Sequence, residues 1–264
     1  MSKGVQRQKV ESGMLSIRFP LHRPELRDLL IRGEAAVRQA MGPAVRCRKG
    51  EVLINAGEES RTVYLLESGW VVRTRLIEGA RRQIIVVFLP GDLMGIKSML
   101  LERQPDTIEC LTDAKVRTID HRRLLELVAQ DHAASVRIMF QLGEDERRIH
   151  NWVIALGKGS ADERIATLLL DLRGRLTQAG LANAEGFRMP MTQQEIADHL
   201  GLTVVHVNRV LRRLREAGMV AVQQGMVRVG EIARLSRLAA SLQDTYERST
   251  PEFGGHGGIG LPQC

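Results

Sequence analysis

The residues with the clearest chemical potential lie between positions 190 and 220, where arginines recur along one side of a predicted helix. That side carries Val205, Asn208, Arg209, Arg212 and Arg213. The opposite side is apolar, since valine or leucine returns there at helical spacing. Guanidinium groups can donate paired hydrogen bonds to guanine or bind backbone phosphates. The pattern predicts a helix held by its apolar side, with its cationic side free to enter the DNA major groove.

A second, shorter helix is predicted just before this one. Thr192 and Glu195 have the spacing of a capping box, which marks a helix start. Gly201 can adopt the left-handed conformation that ends a helix, and Thr203 can cap the helix that follows. The two elements predict a helix-turn-helix. The alternative interpretation is an ordinary helical hairpin with a solvated basic face.

The stretch T-Q-Q-E-I-A-D-H-L-G-L-T-V-V-H-V-N-R-V-L-R-R-L, residues 192–214, resembles the winged helix-turn-helix of the catabolite activator and fumarate-nitrate regulator (Crp/Fnr) superfamily of bacterial transcription regulators. Two short predicted strands around Gln224 and Gly225, within 219–230, match the wing, and Arg228 is available there for a phosphate contact. The resemblance implies a sequence-specific, DNA-binding transcription regulator rather than an enzyme.

The resemblance also implies which residues contact DNA. The DNA-binding set is Thr192, Thr203, Val204, Val205, His206, Asn208, Arg209, Arg212 and Arg213. Arg209 matches the arginine that reads a base in the family, whereas Arg212 and Arg213 are expected on phosphates. Val205 stands where many members carry a glutamate that accepts a hydrogen bond from cytosine. Valine cannot accept one but can pack on a thymine methyl group, so the usual half-site is not assumed.

Residues 46–122 have a different texture, in which short apolar runs alternate with glycine turns. Regular short strands at this spacing predict an antiparallel sandwich or barrel. The pieces V-Y-L-L-E-S-G-W-V (63–71) and F-L-P-G-D-L-M-G (88–95) resemble the β-roll of cyclic-nucleotide-binding domains. The resemblance therefore implies an N-terminal sensor domain.

Residues 123–157 are predicted to form one long helix, because they contain no proline and their apolar residues follow a helical period. The apolar stripe is Ile138, Leu142, Ile149, Trp152 and Leu156, with Asp145 among them. The stripe predicts either a seam with a second copy of the helix or packing on its own domain. The family resemblance favours the homodimer, which would bind a two-fold symmetric operator.

The fold class predicted as a whole is α+β: a cyclic-nucleotide-binding-like β-roll, a long dimerisation helix and a C-terminal winged helix-turn-helix. Residues 1–45 are predicted to form an arm followed by short helices, and 158–246 the DNA-binding domain, with a loop over 178–189. Residues 247–264 are rich in glycine and proline, which predicts a disordered tail.

Composition narrows the class of protein further. The net charge of +7 favours an anionic partner, and aromatic residues at 3% argue against base stacking on single-stranded nucleic acid. The sequence has no long apolar run and no secretory signal, so we expect a cytoplasmic protein without a membrane span. It also lacks phosphate-loop, nucleophile-elbow and zinc-protease motifs. RNA polymerase is the expected protein partner.

The effector is left open by the sequence. In the phosphate cassette of cyclic-nucleotide binders, Ile96 stands at the ribose-binding glutamate position and Asp106 at the phosphate-binding arginine position, which argues against cyclic AMP. Three scattered cysteines argue against an iron–sulfur cluster with four ligands. A haem held by His121 or Cys110, an oxidant-sensing Cys47 or Cys110, and regulation without any effector remain open. The alternative functions are a ligand-regulated subunit and a non-specific DNA-binding protein.

Overall fold

The computed structural model describes residues 24–79, 81–183 and 186–242, which form an α+β structure with three antiparallel sheets of four strands. The predicted tail of 247–264 and residues 1–23 of the predicted arm lie outside the described residues. The helices are α1 (Pro24–Ala40), α2 (His121–Gln130), α3 (His132–Lys158), α4 (Ala161–Gln178), α5 (Gln193–Leu200), α6 (Val204–Glu216) and α7 (Ile232–Ala239). The strands are β1 (Val45–Cys47), β2 (Val52–Ile54), β3 (Thr62–Ser68), β4 (Val71–Ile77), β5 (Arg81–Phe88), β6 (Leu93–Met94), β7 (Thr107–Cys110), β8 (Ala114–Asp120), β9 (Ala182–Asn183), β10 (Gly186–Arg188), β11 (Val220–Gln223) and β12 (Met226–Val229). None of the described helices combines the length and apolarity needed to cross a bilayer.

Strands β1 to β8 form the predicted sandwich. One sheet has the order β1-β8-β3-β6 and the other β2-β7-β4-β5. Leu66 and Val116 from the first sheet pack against Val71 and Phe88 from the second, so alternate residues of each strand build a common core. At the turn into β4, Gly69 has φ 90°, and a Cβ there would lie 2.4 Å from the carbonyl oxygen of Asp113. This turn therefore requires glycine.

Helix α1 is a single helix of 17 residues, where the sequence predicted short helices. It crosses α3 so closely that a Cβ on Gly33 would lie 2.1 Å from the Ala133 carbonyl oxygen. The Arg137 side chain of α3, with the residue 1% exposed, donates to Glu34 at 2.8 Å and to the Gly91 carbonyl oxygen at 2.9 Å. These bonds tie α1, α3 and the roll together.

The prediction of one helix over 123–157 is wrong, because α2 and α3 are separate helices that meet at Asp131. Asp131 has extended dihedral angles, and its carboxylate accepts hydrogen bonds from the backbone N–H groups of Ala133 and Ala134. An aspartate at this position supplies the cap that starts a new helix. Helical periodicity continues across the break, so periodicity alone did not reveal it.

The predicted apolar stripe of α3 is divided between two surroundings. Ile138 is buried in the core that α3 shares with α1, and Trp152 packs on the C-terminal unit. Leu142 remains exposed. Asp145 turns toward the roll, where an Oδ atom lies 3.8 Å from Arg73, and burial raises the pKa of its carboxyl group.

Helices α4 to α7 and strands β9 to β12 form the C-terminal unit. The predicted loop over 178–189 instead contains β9 and β10, which extend the wing into a sheet of order β11-β12-β10-β9. Gly186 has φ 127°, and a Cβ there would lie 2.2 Å from the Val227 carbonyl oxygen. This close approach allows β10 to pair with β12.

The roll and the C-terminal unit share a hydrophobic core. Trp70 and Ile84 of the roll belong to the same buried cluster as Leu172 of α4 and Leu200 of α5. Burial of apolar surface between them stabilises one arrangement of the two units. The orientation of the helix-turn-helix relative to the roll is therefore fixed by packing as well as by the short connection after α3.

Candidate nucleic-acid interface

The interface begins at the N-terminus of α5, where the predicted capping box is present. The Glu195 N–H donates to Oγ1 of Thr192 at 3.2 Å, and the Thr192 N–H donates to the Glu195 carboxylate at 2.6 Å. Gln193 and Gln194 are exposed beside the cap. A helix N-terminus attracts phosphate through its free N–H groups and its dipole. These glutamines were absent from the predicted DNA-binding set, although the capping box indicated where the helix starts.

The turn between α5 and α6 depends on Gly201, which has φ 61° and donates its N–H to the Ala197 carbonyl oxygen. A Cβ at this glycine would meet Leu156 at 3.5 Å, which is an ordinary contact. Any cost of an added Cβ must therefore come from the left-handed backbone rather than from a clash.

Gly201→Ala is accordingly expected to lower the free energy of unfolding by about 1 kcal/mol, measured by urea denaturation. The matched control is Gly174→Ala inside α4, where a Cβ would meet no atom within 4 Å. Since alanine favours a helix interior over glycine, the control should be stabilised by about 0.5–1 kcal/mol. Equal effects at both sites would contradict the assigned turn conformation.

Helix α6 lies on the C-terminal unit by the apolar side predicted from the sequence. Thr203 caps its first turn by accepting from the His206 N–H at 3.2 Å. Val207 and Val210 are fully buried, and Leu211 and Leu214 continue the same face. This packing fixes which residues of α6 point outward.

The outward face of α6 carries the predicted base-contacting residues. Val205 is 66% exposed, and Val204, Asn208 and Arg209 are also exposed. Within the described part of the chain, the side chains of Asn208 and Arg209 have no hydrogen-bonding or ionic partner. Both side chains therefore remain available to an external ligand.

The remaining predicted residues of α6 make contacts within the chain. The Thr203 hydroxyl lies 3.0 Å from Nδ1 of His206. Arg212 pairs with Glu216 at 2.8 Å, one turn along the helix. Arg213 pairs with Asp162 of α4 at 2.6 Å, so a phosphate contact by Arg213 would require this ion pair to open.

The wing is a two-stranded hairpin next to α6. Gln224 and Gly225 have φ values of 49° and 77°, and positive φ at both central residues is typical of the tight turn that joins twisted strands. Arg228 on β12 is exposed. The hairpin therefore presents an exposed guanidinium on the same unit as α6.

The connection from α3 to α4 is held by Arg164, which the sequence analysis missed. Its guanidinium donates to the carbonyl oxygens of Leu156, Gly159 and Leu200 at 3.0, 2.9 and 3.0 Å. These atoms belong to the end of α3, the connection itself and the end of α5. No local pattern in the sequence signals this role, because the three acceptors are backbone carbonyl oxygens and that of Leu200 lies 36 residues from Arg164.

Arg164→Lys is expected to lower the free energy of unfolding by about 1 kcal/mol, because an ammonium cannot reach three carbonyl oxygens in the planar geometry of a guanidinium. Proteolysis between Leu156 and Ser160 should become faster in the same variant. The control is Arg215→Lys on the exposed side of α6. Equal stability of the two variants would show that the three bonds are energetically unimportant.

A buried ionic cluster joins the roll to both α3 and α4. The Asp92 carboxylate accepts from Arg148 at 3.0 Å, from Arg175 at 2.8 Å and from the Leu89 N–H at 2.8 Å. Burial alone would raise the pKa of Asp92, but the two guanidinium groups and the backbone bond hold it below its usual value. The carboxylate is therefore charged and bridges the two units.

The cassette positions of the roll do not fit a cyclic nucleotide. Ile96 is buried in the apolar core, and Asp106 is buried with its carboxylate 2.7 Å from Arg75. A cavity of about 400 Å³ lies between this region and α3, lined by Arg73, Lys97 and several other side chains. Ile96 has no acceptor for a ribose hydroxyl, and Asp106 places an anion where a phosphate would need a cation.

The two described cysteines lie in the roll. Cys47 and Cys110 are both free and buried in the same apolar cluster. Burial raises the pKa of Cys110 to about 12 and also raises that of Cys47, which keeps both as thiols near neutral pH. No group of three metal-binding side chains occurs among residues 24–79, 81–183 and 186–242.

Two family models match the units seen in the structure. Residues 44–131 match the cyclic nucleotide-binding domain, and residues 163–241 match the Crp-like helix-turn-helix domain. Together the matched segments cover well over half of the chain.

Curated relatives and solved structures agree with these models. The transcriptional activator protein FnrA of Stutzerimonas stutzeri is 33% identical over 200 residues, covering 75% of this chain and 80% of the relative. The transcriptional activator protein Anr of Pseudomonas aeruginosa is 31% identical over 73% of this chain and 78% of the relative. FixK2 from Bradyrhizobium japonicum has a TM-score of 0.68 at 27% identity, covering 74% of this chain and 96% of that structure. The chain therefore belongs to the Crp/Fnr family of DNA-binding transcription regulators.

Proposed function

We propose that this regulator acts as a homodimer that binds a two-fold symmetric operator, with one α6 helix in each of two successive major grooves. The observation that carries the proposal is the outward face of α6. Arg209 is exposed there without a partner in the described chain, on a helix whose other side is buried. A guanidinium that is unpaired in the described chain, on a helix held by its buried side, is available for bidentate hydrogen bonding to guanine.

This protein should prefer different bases beside the guanine contact from relatives that carry a glutamate at the position of Val205. Val205 offers only methyl groups, which pack favourably on the methyl group of thymine. Asn208 can donate and accept hydrogen bonds at a base edge. We propose that Val204, Val205, Asn208 and Arg209 select sequence.

The phosphate contacts would come from groups around this reading face. We propose that phosphates are contacted by the N-terminus of α5 at Thr192, the Thr203–His206 pair, Arg212 and Arg228. Arg212 would have to exchange its exposed partner Glu216 for a phosphate, which costs little because surface ion pairs contribute weakly. Arg213 can join only if it leaves Asp162, so we assign it mainly to holding α6 on α4.

The dimer would form along α3. Met139 and Val153 are 67% and 62% exposed, and Leu142 and Ile154 are exposed as well. Met139, Leu142, Ile149, Val153 and Leu156 alternate spacings of three, four and seven, which is the pattern of a two-helix seam. This seam shares Leu142, Ile149 and Leu156 with the predicted stripe, but replaces the inward-facing Ile138 and Trp152.

The wider assignment follows from the same reading. We propose that a change in the sensor roll is transmitted through the dimer helix α3 to the DNA-binding unit of about 158–246, with Gly159 and Ser160 as the connection between α3 and α4. RNA polymerase is the proposed protein partner, and the cytoplasm is the proposed location.

The test is a selection from random double-stranded DNA. Purified protein without added ligand is incubated with the duplexes at near-physiological salt, and the bound pool is sequenced. We expect enrichment of a palindrome whose half-site centres lie about one helical turn, ~34 Å, apart. The protein mass in solution, measured in parallel, should be that of a dimer.

Other outcomes would contradict parts of the proposal. Binding without enrichment, with affinity falling steeply as salt rises, would indicate a non-specific DNA-binding protein. Enrichment of a single half-site by a monomer would overturn the dimer. Absence of binding both in buffer and in a small-molecule extract of cells would overturn DNA reading by α6.

A further inference from the structure

A buried histidine lies where the back of the helix-turn-helix packs on the roll. His199, near the C-terminal end of α5, is 3% exposed, and its Nδ1 atom lies 3.0 Å from the Ile84 carbonyl oxygen on β5. Because a carbonyl oxygen only accepts, Nδ1 must carry the proton of a neutral ring. The Gln83 side chain also donates to the His199 carbonyl oxygen at 3.1 Å. Both bonds run from α5 to β5.

The same imidazole contacts the long helix. The ring centroids of His199 and Trp152 are 4.5 Å apart, and the ring planes meet at 71°. A cavity of only about 10 Å³ adjoins the two rings, which leaves room for at most one water molecule. The imidazole therefore sits where β5, α3 and α5 meet, largely out of reach of solvent.

The charged groups around His199 already have partners. The groups on the packed elements are Arg148 of α3, Asp171 and Arg175 of α4, Arg82 of β5, Asp198 of α5, and Asp92 and Arg164 beside them. Asp92 is bound by two of the arginines. Asp171 lies 3.4 Å from Arg175, and Asp198 accepts from Gln194 at 2.7 Å. Asp198 also lies 4.0 Å from Arg82, so a new cation at His199 would meet no carboxylate without a cationic partner.

We propose that protonation of His199 weakens the docking of the DNA-binding unit on the roll, so that the orientation of the helix-turn-helix depends on pH. A second proton would enter at Nε2 and place a cation in a buried site next to Arg148 and Arg175. The docked arrangement is then favoured with the neutral ring, and an arrangement in which α5 leaves β5 is favoured with the charged ring. The effect on an operator rests on the proposed function, whereas the docking does not.

The surroundings of His199 determine whether docking weakens at low or at high pH. Burial lowers the pKa of His199 below 6.5, outweighing the hydrogen bond to Ile84 and the charge of Asp171, which raise it, while Arg175 lowers it further. The docked state thus binds this proton more weakly than the undocked state. Docking is most stable above about pH 6.5 and weakens as the pH falls below it, and for a single proton the undocked fraction rises by at most about tenfold per pH unit.

The experiment compares amide hydrogen exchange in wild type and His199→Asn, using the full chain without DNA. Asparagine can keep an N–H donor toward Ile84 but does not titrate. At each pH the intrinsic chemistry of exchange is the same in both proteins, so the ratio of their rates over residues 193–200 reports opening of the docked unit. We expect the wild-type rate divided by the variant rate to be nearly constant above about pH 7.5 and to rise by up to about fivefold between pH 6.5 and 5.5.

Two further variants keep the outcome decisive. His206→Asn removes the exposed histidine of α6. The ratio of the wild-type exchange rate to the rate of this variant should not vary with pH. If His199→Asn does not fold by circular dichroism, His199→Phe serves instead, since phenylalanine retains the edge contact with Trp152. A ratio independent of pH, or the same pH response from His206→Asn, would overturn the proposal. The random-duplex selection can succeed or fail independently of either result.

Discussion

Replacing Asp92 with asparagine is expected to lower the free energy of unfolding by about 3–5 kcal/mol, the largest effect we foresee for a single conservative change. The carboxylate is buried and bridges Arg148 and Arg175, which are themselves largely buried. Removing its charge takes the nearest anion away from both guanidinium groups and leaves them only the more distant Asp145, 3.7 Å from Arg148, and Asp171, 3.4 Å from Arg175. Urea denaturation followed by circular dichroism measures the loss.

The control for this prediction is Asp28→Asn on the exposed side of α1, which should change the stability by less than about 0.5 kcal/mol. The pH dependence gives a second check. The pKa of Asp92 lies below 3.8 in the folded chain, so its stabilisation is present above that value and is lost as the pH falls through the lower folded value. The difference in free energy of unfolding between wild type and Asp92→Asn should therefore become smaller only below about pH 3.8.

Similar free energies of unfolding for Asp92→Asn and Asp28→Asn at pH 7 would contradict the stabilising role assigned to Asp92 in the ionic cluster. It would mean that Arg148 and Arg175 are satisfied by other groups, such as the Val87 carbonyl oxygen that already accepts from Arg175. The junction between roll and C-terminal unit would then rest on apolar packing and on the hydrogen bonds that join β5 to α4 and α5.

Arg209→Ala is expected to remove about 1–3 kcal/mol of discrimination at one base pair of each half-site, which corresponds to a loss of preference of about 5- to 150-fold. The side chain has no partner in the described chain, so its removal leaves no buried group unsatisfied. The variant should keep its fold and its oligomeric state. Competition binding with duplexes that differ at the guanine position measures the effect.

Arg215→Ala is the matched control, because Arg215 is exposed on α6 but lies to the side of the outward face. It should leave base preference unchanged. Arg212→Ala should weaken binding to all sequences alike and reduce the slope of log affinity against log salt by about one, as expected for a phosphate contact. If Arg209→Ala retained full base preference, the reading residue would lie elsewhere on α6 or on the wing.

The helix-turn-helix could be predicted in detail because its signals are local. A capping box at Thr192, a glycine at 201 and an apolar period along α6 each involve residues within one or two turns of each other. Such interactions are specified by neighbours in the chain and do not depend on the rest of the fold. The alternation of apolar runs and glycine turns likewise predicted the sandwich, and residue motifs indicated the family.

The sequence alone thus determined the sandwich, the helix-turn-helix with its wing, the family and which face of α6 points outward. Tertiary structure decided what depends on distant groups: the inward turn of Ile138 and Trp152, the pairing of Arg213 with Asp162, and the roles of Asp92, Arg164 and His199. The physical reason is that the partners of these side chains are tens of residues away or are backbone carbonyls. Burial and charge compensation arise only when the roll, α3 and the C-terminal unit pack together. Local sequence patterns do not report contacts between such distant segments.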